Sequence, residues 1–277
     1  MRNEELLMYP INSSFFILHS PLSVAPVPND YFQFQQFRIA QNNCAMKVST
    51  DACLLGAVAD ASGASRVLDV GTGTGLLALM LAQRFAGAEI EALEIDPAAA
   101  AQAAANVRHS PWAGRVRVQA LSLAAYAATQ PAGFGHIVCN PPFFRGALPA
   151  PGAARRLARH AEATSLTFEA LAQFAADFLL PDGALTVLLP PPEMLAFELV
   201  AQAAGLHPQR RLLVQHRPQG RVTRHIVRFG RAARQLVETE ALSIRTADDG
   251  DYSARFRALL AGFYLALPPK AGAAPAQ

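Results

Sequence analysis

Short apolar runs alternate with longer amphipathic segments over most of the chain. The runs are rich in Val, Leu and Ile, which is typical of strands buried on both faces of a sheet. The segments between them repeat apolar residues at helical spacing. The predicted strands are residues 66–70, 89–93, 116–119, 136–139 and 184–189. The predicted helices are residues 51–60, 76–84, 97–108, 167–179 and 193–204.

Strands that alternate with helices predict an α/β, Rossmann-like fold, in which a mostly parallel seven-stranded sheet carries helices on both faces. Two further segments, residues 211–215 and 222–229, are predicted to form an antiparallel hairpin at the sheet edge. We expect one domain over residues 31–265, with a flexible extension at residues 1–30 and a disordered Pro/Ala-rich tail at residues 266–277.

Local signals mark the ends of several elements. Asp51 and Thr167 each precede or open a helical pattern and are candidate N-caps. Asp96 is the expected N-cap of the helix whose first turn contains Pro97, because proline is favoured there. The tripeptide at residues 181–183, Pro-Asp-Gly, predicts a turn into the strand that follows it.

The composition limits the classes of protein to which the chain can belong. With 277 residues, 52% hydrophobic and 16% charged, the chain can bury a large core, and disorder over most of its length is excluded. No apolar run is long enough to span a bilayer, so we expect no membrane association. The cysteines, Cys44, Cys53 and Cys139, are odd in number and lack zinc-ligand spacing. They predict reduced thiols in the cytoplasm and no metal site.

The formal net charge is only +3, but its distribution is uneven. No acidic residue occurs between Asp96 and Glu162, or between Glu198 and Glu238, while arginine is frequent in both stretches. Arginine without compensating acid suits a polyanionic partner. An arginine-biased composition would equally give a solvated surface, so charge alone leaves both interpretations open.

A glycine-rich loop follows the first strand of the predicted sheet. Gly71, Gly73 and Gly75 have the spacing G-x-G-x-G, which differs from the dinucleotide-binding G-x-G-x-x-G. Asp69 precedes the turn, and an anion there would repel phosphates. It suits a cationic ligand such as S-adenosylmethionine, which carries a sulfonium and an ammonium group. A tight strand-to-helix turn without a ligand would explain the glycines but not the added acid.

Polar residues also follow the next two strands. Glu94 ends the second strand, where a carboxylate can accept hydrogen bonds from ribose hydroxyls. Ser122 follows the third strand, where a hydroxyl could accept a hydrogen bond from the adenine amino group of a cofactor. Because the carboxyl ends of parallel strands meet at one edge of a sheet, we expect both residues to line the same crevice as the glycine loop.

The sequence Asn140-Pro141-Pro142-Phe143 follows the fourth strand and carries the most specific chemistry. An exocyclic amine is a poor nucleophile, because its lone pair is delocalised. The side-chain oxygen of Asn140 and the carbonyl oxygen of Pro141 can accept its N–H bonds, which would orient the lone pair and stabilise growing positive charge. Consecutive prolines fix φ, and Phe143 offers a face on which a planar base can stack. The alternative is a strand ended by proline.

Together these motifs resemble the class I amino-methyltransferases. Additional segments resemble one family within that class, the tRNA(Val) adenine-37 N6-methyltransferases. These additional segments are residues 34–39, 44–56 and 252–265, and the resemblance covers roughly residues 31–265. The resemblance implies S-adenosylmethionine as cofactor, tRNA as partner and N6 of an anticodon-loop adenosine as target. Two features depart from the family pattern: Ser122 stands where an acid is usual, and residues 217–234 have no close counterpart.

The resemblance also suggests roles outside these motifs. Lys47, Thr50 and Asp51 would belong to a segment that closes over the cofactor or the target base, although Asp51 could simply cap a helix. Four arginines in the loop after the catalytic motif would bind RNA phosphates. They are Arg145, Arg155, Arg156 and Arg159. We expect the protein to act as a monomer.

Three alternative functions stay open. A protein-glutamine N5-methyltransferase shares the Asn-Pro-Pro element but usually has Tyr where Phe143 stands. A ribosomal-RNA guanine-N2 methyltransferase usually has His where Phe144 stands. A non-catalytic RNA-binding protein is the third, and the intact Asp69 and Asn140 argue against it.

Overall fold

The computed structural model describes residues 30–42, 44, 47–141, 166–248 and 250–266. The strands in these ranges are β1 (Tyr31–Gln33), β2 (Arg38–Ala40), β3 (Arg66–Val70), β4 (Glu89–Leu93), β5 (Val116–Gln119), β6 (Phe134–Cys139), β7 (Leu179–Leu189), β8 (His207–Gln215), β9 (Val222–Gly230) and β10 (Glu238–Ser243). The helices are α1 (Thr50–Val58), α2 (Leu76–Arg84), α3 (Pro97–Arg108), α4 (Leu123–Ala128), α5 (Phe168–Phe178), α6 (Pro191–Ala203) and α7 (Ala254–Leu260). The expected N-terminal extension, apart from Asp30, and nearly all of the expected tail lie outside these ranges.

The main sheet has the strand order β10-β8-β9-β7-β6-β3-β4-β5. Every strand runs in the same direction except β9, which is antiparallel to both β7 and β8. Helices α1, α2 and α7 contribute to a core on one face, and α4, α5 and α6 to a core on the other. The predicted α/β fold, with a mostly parallel sheet covered on both faces, is confirmed.

The sheet has eight strands where seven were predicted. The additional strand, β10, pairs in parallel with β8, so the β8–β9 hairpin does not form the edge. Only Leu242 in β10 is buried. A strand with a single buried residue lacks the apolar run that marks the other strands, which is why the hydrophobic pattern did not reveal it.

The predicted turn at residues 181–183 lies inside β7. Pairing with β6 shifts register there, because Phe134 pairs with Leu179 whereas His136 pairs with Ala184. The intervening residues 180–182 are exposed, as expected of a bulge. A β-carbon on Gly183 would lie 2.8 Å from the carbonyl oxygen of Phe134, so glycine is required at this approach. The turn-forming residues therefore make a bulge instead of ending the strand.

Two of the three expected N-caps are confirmed and one is wrong. Asp96 accepts a hydrogen bond from the amide of Ala98 at 2.9 Å, and Thr167 caps α5. The cap of α1 is Ser49, which accepts from the amide of Ala52 at 3.2 Å. Ser49 has extended backbone geometry directly before the helix, whereas Asp51 already lies in the first turn. The side chain of Asp51 is thus available for another contact.

In the described part of the chain, no helix is both long and apolar enough to cross a bilayer. Cys53 and Cys139 are buried free thiols. Across the same ranges, no cluster of three or more His, Cys, Asp or Glu side chains is arranged to hold a metal ion.

Candidate active site at the carboxyl ends of the strands

Three neighbouring strands end at the same level of the sheet. Val70, the last residue of β3, pairs with Leu93 of β4 and with Cys139 of β6. The residues that follow are therefore adjacent: the glycine loop after β3, Glu94 after β4 and Asn140 after β6. The strand register therefore brings the glycine loop, Glu94 and Asn140 to the same edge of the sheet, where one crevice was predicted.

The glycine loop depends on left-handed backbone at three positions. Gly71, Gly73 and Gly75 have φ values of 72°, 56° and 84°, a region that side chains disfavour. A β-carbon on Gly75 would lie 3.5 Å from that of Ala103, so this glycine sits close to α3. A β-carbon on Gly71 would meet nothing within 4 Å. The first glycine thus borders open space, where a ligand could approach the backbone.

Asp69 is fully buried beneath this loop. Its Oδ2 accepts hydrogen bonds from Thr72 Oγ1 at 2.5 Å and from the amide of Ala78 at 3.1 Å. Its Oδ1 is buried without a hydrogen-bond partner. Burial raises the pKa of the Asp69 carboxyl to about 7, the charge of Glu94 adds to the rise, and the two hydrogen bonds oppose it. Asp69 therefore fixes the loop with one oxygen and keeps the other available.

Glu94 is held by backbone amides. Its Oε2 accepts from Gly73 at 2.9 Å, and its Oε1 accepts from Asp96 at 3.0 Å. The carboxylate is therefore tied to the glycine loop on one side and to the start of α3 on the other. Each carboxylate oxygen has a second lone pair, so the half-buried group can still accept hydrogen bonds from a ligand.

Ser122 has a structural role that the sequence did not reveal. It is the N-cap of α4, and its hydroxyl oxygen accepts from the amide of Ala125 at 3.1 Å. The expected contact with a cofactor amino group would have to use the remaining lone pair of the same oxygen. The serine at this position is thus explained by the helix that begins after it.

Asn140 lies half-buried at the end of β6, and no residue in the described ranges donates a hydrogen bond to its buried Oδ1. An unpaired buried acceptor costs stability unless a ligand satisfies it. Pro141 follows and is buried. Two other predicted members of the motif, Pro142 and Phe143, lie outside the described residues. The described half of the motif thus presents an unsatisfied acceptor beside the glycine loop.

The segment before and within α1 approaches the same edge. The carboxylate of Asp51 lies 2.9 Å from Nε of Arg224, near the start of β9. The next residue of β9, His225, pairs with Leu189 at the carboxyl end of β7. Lys47 and Thr50 are exposed nearby in the chain. The structure therefore gives Asp51 an ion-pair partner that the sequence did not suggest.

The β8–β9 hairpin adds residues that sequence analysis did not assign. Arg217 and Arg221 are exposed in its connection, which extends past the carboxyl end of β7 because β9 is antiparallel to that strand. The acid-free arginine stretch was visible in the sequence, but only the topology places this part of it at the candidate site. The four arginines predicted to bind RNA, Arg145, Arg155, Arg156 and Arg159, lie outside the described residues.

Comparison with known proteins agrees with this geometry. Residues 44–189 match the family model of the methyltransferase small domain. The tRNA1(Val) (adenine(37)-N6)-methyltransferase of Serratia proteamaculans (strain 568) is 42% identical over 235 residues, covering 84% of this chain and 89% of the relative. The chain belongs to the family of the tRNA1(Val) (adenine(37)-N6)-methyltransferases. A family member from Bacteroides thetaiotaomicron is 41% identical over 240 residues, covering 86% of this chain and 99% of its own.

The fold also has counterparts among solved structures. A predicted O-methyltransferase from Agrobacterium tumefaciens superposes with a TM-score of 0.58 at 22% identity, covering 76% of this chain and 96% of its own. This similarity shows the fold alone. The methyltransferase family assignment therefore rests on the sequence relatives, and the site geometry gives it a physical basis.

Proposed function

We propose that this chain transfers a methyl group from S-adenosylmethionine to N6 of an adenosine in tRNA, at position 37 of a valine tRNA. The observation that carries the proposal is the unpaired, buried Oδ1 of Asn140 beside the glycine loop. The names of the relatives supply the nucleoside and the tRNA. We propose further that the protein acts in the cytoplasm as a monomer.

The described residues fit the proposed cofactor. The unpaired Oδ1 of Asp69 and the open space at Gly71 provide an acceptor and room for backbone approach. A carboxylate under the loop favours a cationic ligand and disfavours a phosphate. Glu94 has lone pairs for hydroxyl groups. When bound, S-adenosylmethionine supplies an electrophilic methyl group on a positively charged sulfur.

The chain's own contribution to catalysis is positioning and electrostatics. Asn140 Oδ1 and the carbonyl oxygen of Pro141 accept hydrogen bonds from the two N–H groups of the target amine. These hydrogen bonds orient the nitrogen lone pair and stabilise the positive charge that develops on nitrogen. No strong base is needed, because the proton can leave the nitrogen after transfer. Phe143 stacks on the adenine ring in this proposal. The adenosine must leave its stack in the anticodon loop to reach these groups.

The remaining predicted residues take supporting roles in the proposal. Lys47, Thr50 and Asp51 border the ligand at the start of α1, and Ser122 lies beyond β5. RNA phosphates contact arginines on two segments. These arginines are Arg145, Arg155, Arg156, Arg159, Arg217 and Arg221.

The test measures transfer of a labelled methyl group from S-adenosylmethionine to a valine tRNA transcript, to the same transcript with guanosine at position 37, to total ribosomal RNA and to release factor. We expect label only in the transcript with adenosine 37, recovered as N6-methyladenosine after digestion. Label in release factor would favour the glutamine alternative, and label in ribosomal RNA the guanine alternative. Either result without tRNA labelling would overturn the proposal.

A further inference from the structure

A cavity lies between strands β7 to β10 and helices α1, α2 and α7. Its volume is about 520 Å³, within the range of roughly 300–1,000 Å³ that small-ligand sites occupy. Ala57 and Val58, at the end of α1, line it, as does Arg84, the last residue of α2. Both helices begin at the edge that carries the glycine loop, so these helix ends lie about 13 Å from that loop. Thr186 on the sheet floor lies at the level of Asp69, with β6 between their two strands, and no lining residue belongs to the candidate active site. It is distinct from the candidate active site.

Positive charge dominates the cavity wall. The lining includes five arginines and two carboxylates. The arginines are Arg84, Arg210, Arg228, Arg234 and Arg255, and the carboxylates are Asp60 and Glu238. Some of this charge is compensated: Arg210 bonds Glu240 at 2.8 Å, and Arg255 contacts the same carboxylate. The compensation is concentrated on the β10 side. Arg84 donates to the carbonyl oxygens of Gly56 and Ala59, so Arg228 remains as the half-buried cation on the cavity floor and Arg234 as an exposed cation at its rim.

Two side chains on the sheet floor keep unsatisfied polar atoms. Arg228 is half-buried, and its Nη1 is buried without a hydrogen-bond partner. Thr186 is only 3% exposed, and its Oγ1 also lacks a partner. Thr186 pairs with Arg228 across β7 and β9, so both side chains leave the same face of the sheet. Native proteins seldom leave adjacent donors of this kind without an acceptor.

The electrostatics of Arg228 agree with a missing anion. Burial lowers the pKa of its guanidinium, and the neighbouring positive charges of Arg234 and Arg210 lower it further, while Asp60 opposes them. On the same face of the sheet as Thr186, burial and the charge of Arg228 lower the pKa of His136 to about 3, so this histidine stays neutral. A bound anion would offset the repulsion among these arginines.

The rest of the wall is apolar except for Gln209. Leu212 and Ile226 on the sheet are buried, and Leu259 faces them from α7. Ala57 and Val58 close the α1 side. A phosphate or sulfate ion would leave this apolar surface uncovered. A ligand with a charged group at one end and an uncharged ring at the other would satisfy both halves of the wall.

We propose that this cavity binds a phosphorylated small molecule of nucleotide size. Its phosphate oxygens accept hydrogen bonds from Arg228 Nη1 and Thr186 Oγ1, with Arg234 at the entrance, and its uncharged part rests on the wall of Leu212 and Ile226. Arginine suits this task because its planar fork of donors matches phosphate oxygens. The proposal concerns a separate site and does not depend on methyl transfer.

Calorimetric titration of the full chain with GDP and with inorganic pyrophosphate tests it, with saturating S-adenosylhomocysteine present to block the cofactor site. We expect one GDP per chain, bound more tightly than pyrophosphate. Arg228→Gln should weaken GDP binding by about tenfold or more, since a buried charged hydrogen bond is lost. Thr186→Val preserves the side-chain shape and should weaken GDP binding severalfold. Arg234→Gln alters only an exposed residue and should also weaken GDP binding severalfold.

Arg108→Gln is the matched control, because this arginine is exposed at the end of α3, away from the cavity. It should leave GDP binding unchanged. Absence of GDP binding at about 1 mM would overturn the proposal, and so would binding that none of the three cavity variants weakens. If the cavity variants weaken tRNA binding while GDP does not bind, the arginines serve an RNA backbone and the small-molecule site is refuted.

Discussion

The side chain of Asn140 presents a buried acceptor to which no residue of the described part of the chain donates a hydrogen bond. A protein gains nothing in stability from such an atom, so its value lies in what it binds. Asn140→Ala should therefore lower kcat for tRNA methylation by about 10²–10³-fold, the usual cost of losing one group that stabilises a developing charge. The dissociation constant of S-adenosylmethionine should change by less than about threefold.

Single-turnover methylation and calorimetric binding of S-adenosylmethionine separate these two quantities. Ser122→Ala is a useful comparison, because the structure assigns this hydroxyl to the cap of α4. It should reduce stability by about 1 kcal/mol, with a smaller effect on kcat. If Asn140→Ala loses cofactor affinity as strongly as it loses turnover, the asparagine is a structural or cofactor-binding residue and the proposed mechanism is wrong.

Asp69 makes stability depend on pH. In the folded chain without ligand, burial raises the pKa of its carboxyl to about 7, whereas an unfolded chain would release this proton near pH 4. Between these values the folded state holds a proton that the unfolded state has lost, so stability falls as pH rises and levels off above about pH 7. This loss should amount to roughly 2–3 kcal/mol between pH 5 and pH 8.

The matched variant is Asp69→Asn, which keeps the shape and removes the titration. Urea unfolding at several pH values, without cofactor, should show the free-energy difference between variant and wild type shifting in favour of the variant as pH rises. Other groups, including His136, contribute equally to both proteins and cancel. The variant should bind S-adenosylmethionine more weakly at pH 8, because it lacks the carboxylate. If the free energies of unfolding of the two proteins change with pH in parallel, Asp69 is already ionised in the folded protein.

At the scale of elements, the β8–β9 hairpin carries arginine to the candidate site. Arg217 and Arg221 are exposed in its connection, beside the edge where Asn140 lies. The double variant Arg217→Gln, Arg221→Gln should raise the KM for tRNA severalfold and leave the affinity for S-adenosylmethionine unchanged. The slope of log binding constant against log salt should become shallower by about 1–2, as expected when one or two phosphate contacts are lost.

Filter binding of tRNA at several salt concentrations measures that slope. The double variant Arg108→Gln, Arg117→Gln serves as the control, because it removes the same two positive charges from exposed positions at the end of α3 and in β5. An equal loss of affinity in the control would mean that net charge, and not the hairpin, determines binding.

Sequence patterns predicted the elements that bury long apolar runs, and they located the glycine loop, Glu94 and Asn140 at one edge. These features depend on local periodicity and on the rule that strand ends meet. Where several residues competed for one role, the outcome depended on backbone conformation: Ser49 caps α1 because it is extended, although Asp51 is as good a cap chemically. The ion pair between Arg224 and Asp51 joins two segments that only the folded structure brings together. Such pairings join distant segments, and no local pattern encodes them.

At the scale of the whole molecule, the first and last segments of the described chain contact each other. Phe34 forms a bridge with Tyr264, and the amide of Gln35 donates to the carbonyl oxygen of Phe263 at 2.8 Å. The side-chain amide of Gln35 also donates to carbonyl oxygens in the same turn, at 2.8 Å for Ala261 and 2.6 Å for Tyr264. The hairpin of β1 and β2 is therefore fixed to the end of α7, and both join the core under α1.

This closure should make the described domain unfold as one unit. Phe34 is fully buried and stacks on Phe37 with ring centroids 4.5 Å apart, so Phe34→Ala should lower the free energy of unfolding by about 3–5 kcal/mol. Leu236→Ala, at a side chain that is 84% exposed, should change it by less than about 0.5 kcal/mol.

Denaturation followed by far-ultraviolet circular dichroism should give a single transition at lower urea for the core variant. Below the transition the hairpin stays folded, and Asn106 still joins Ala40 of β2 to the carbonyl oxygen of Thr74 in the glycine loop, so S-adenosylmethionine affinity should stay within about twofold. A loss under about 1 kcal/mol would mean that the hairpin frays independently of the sheet.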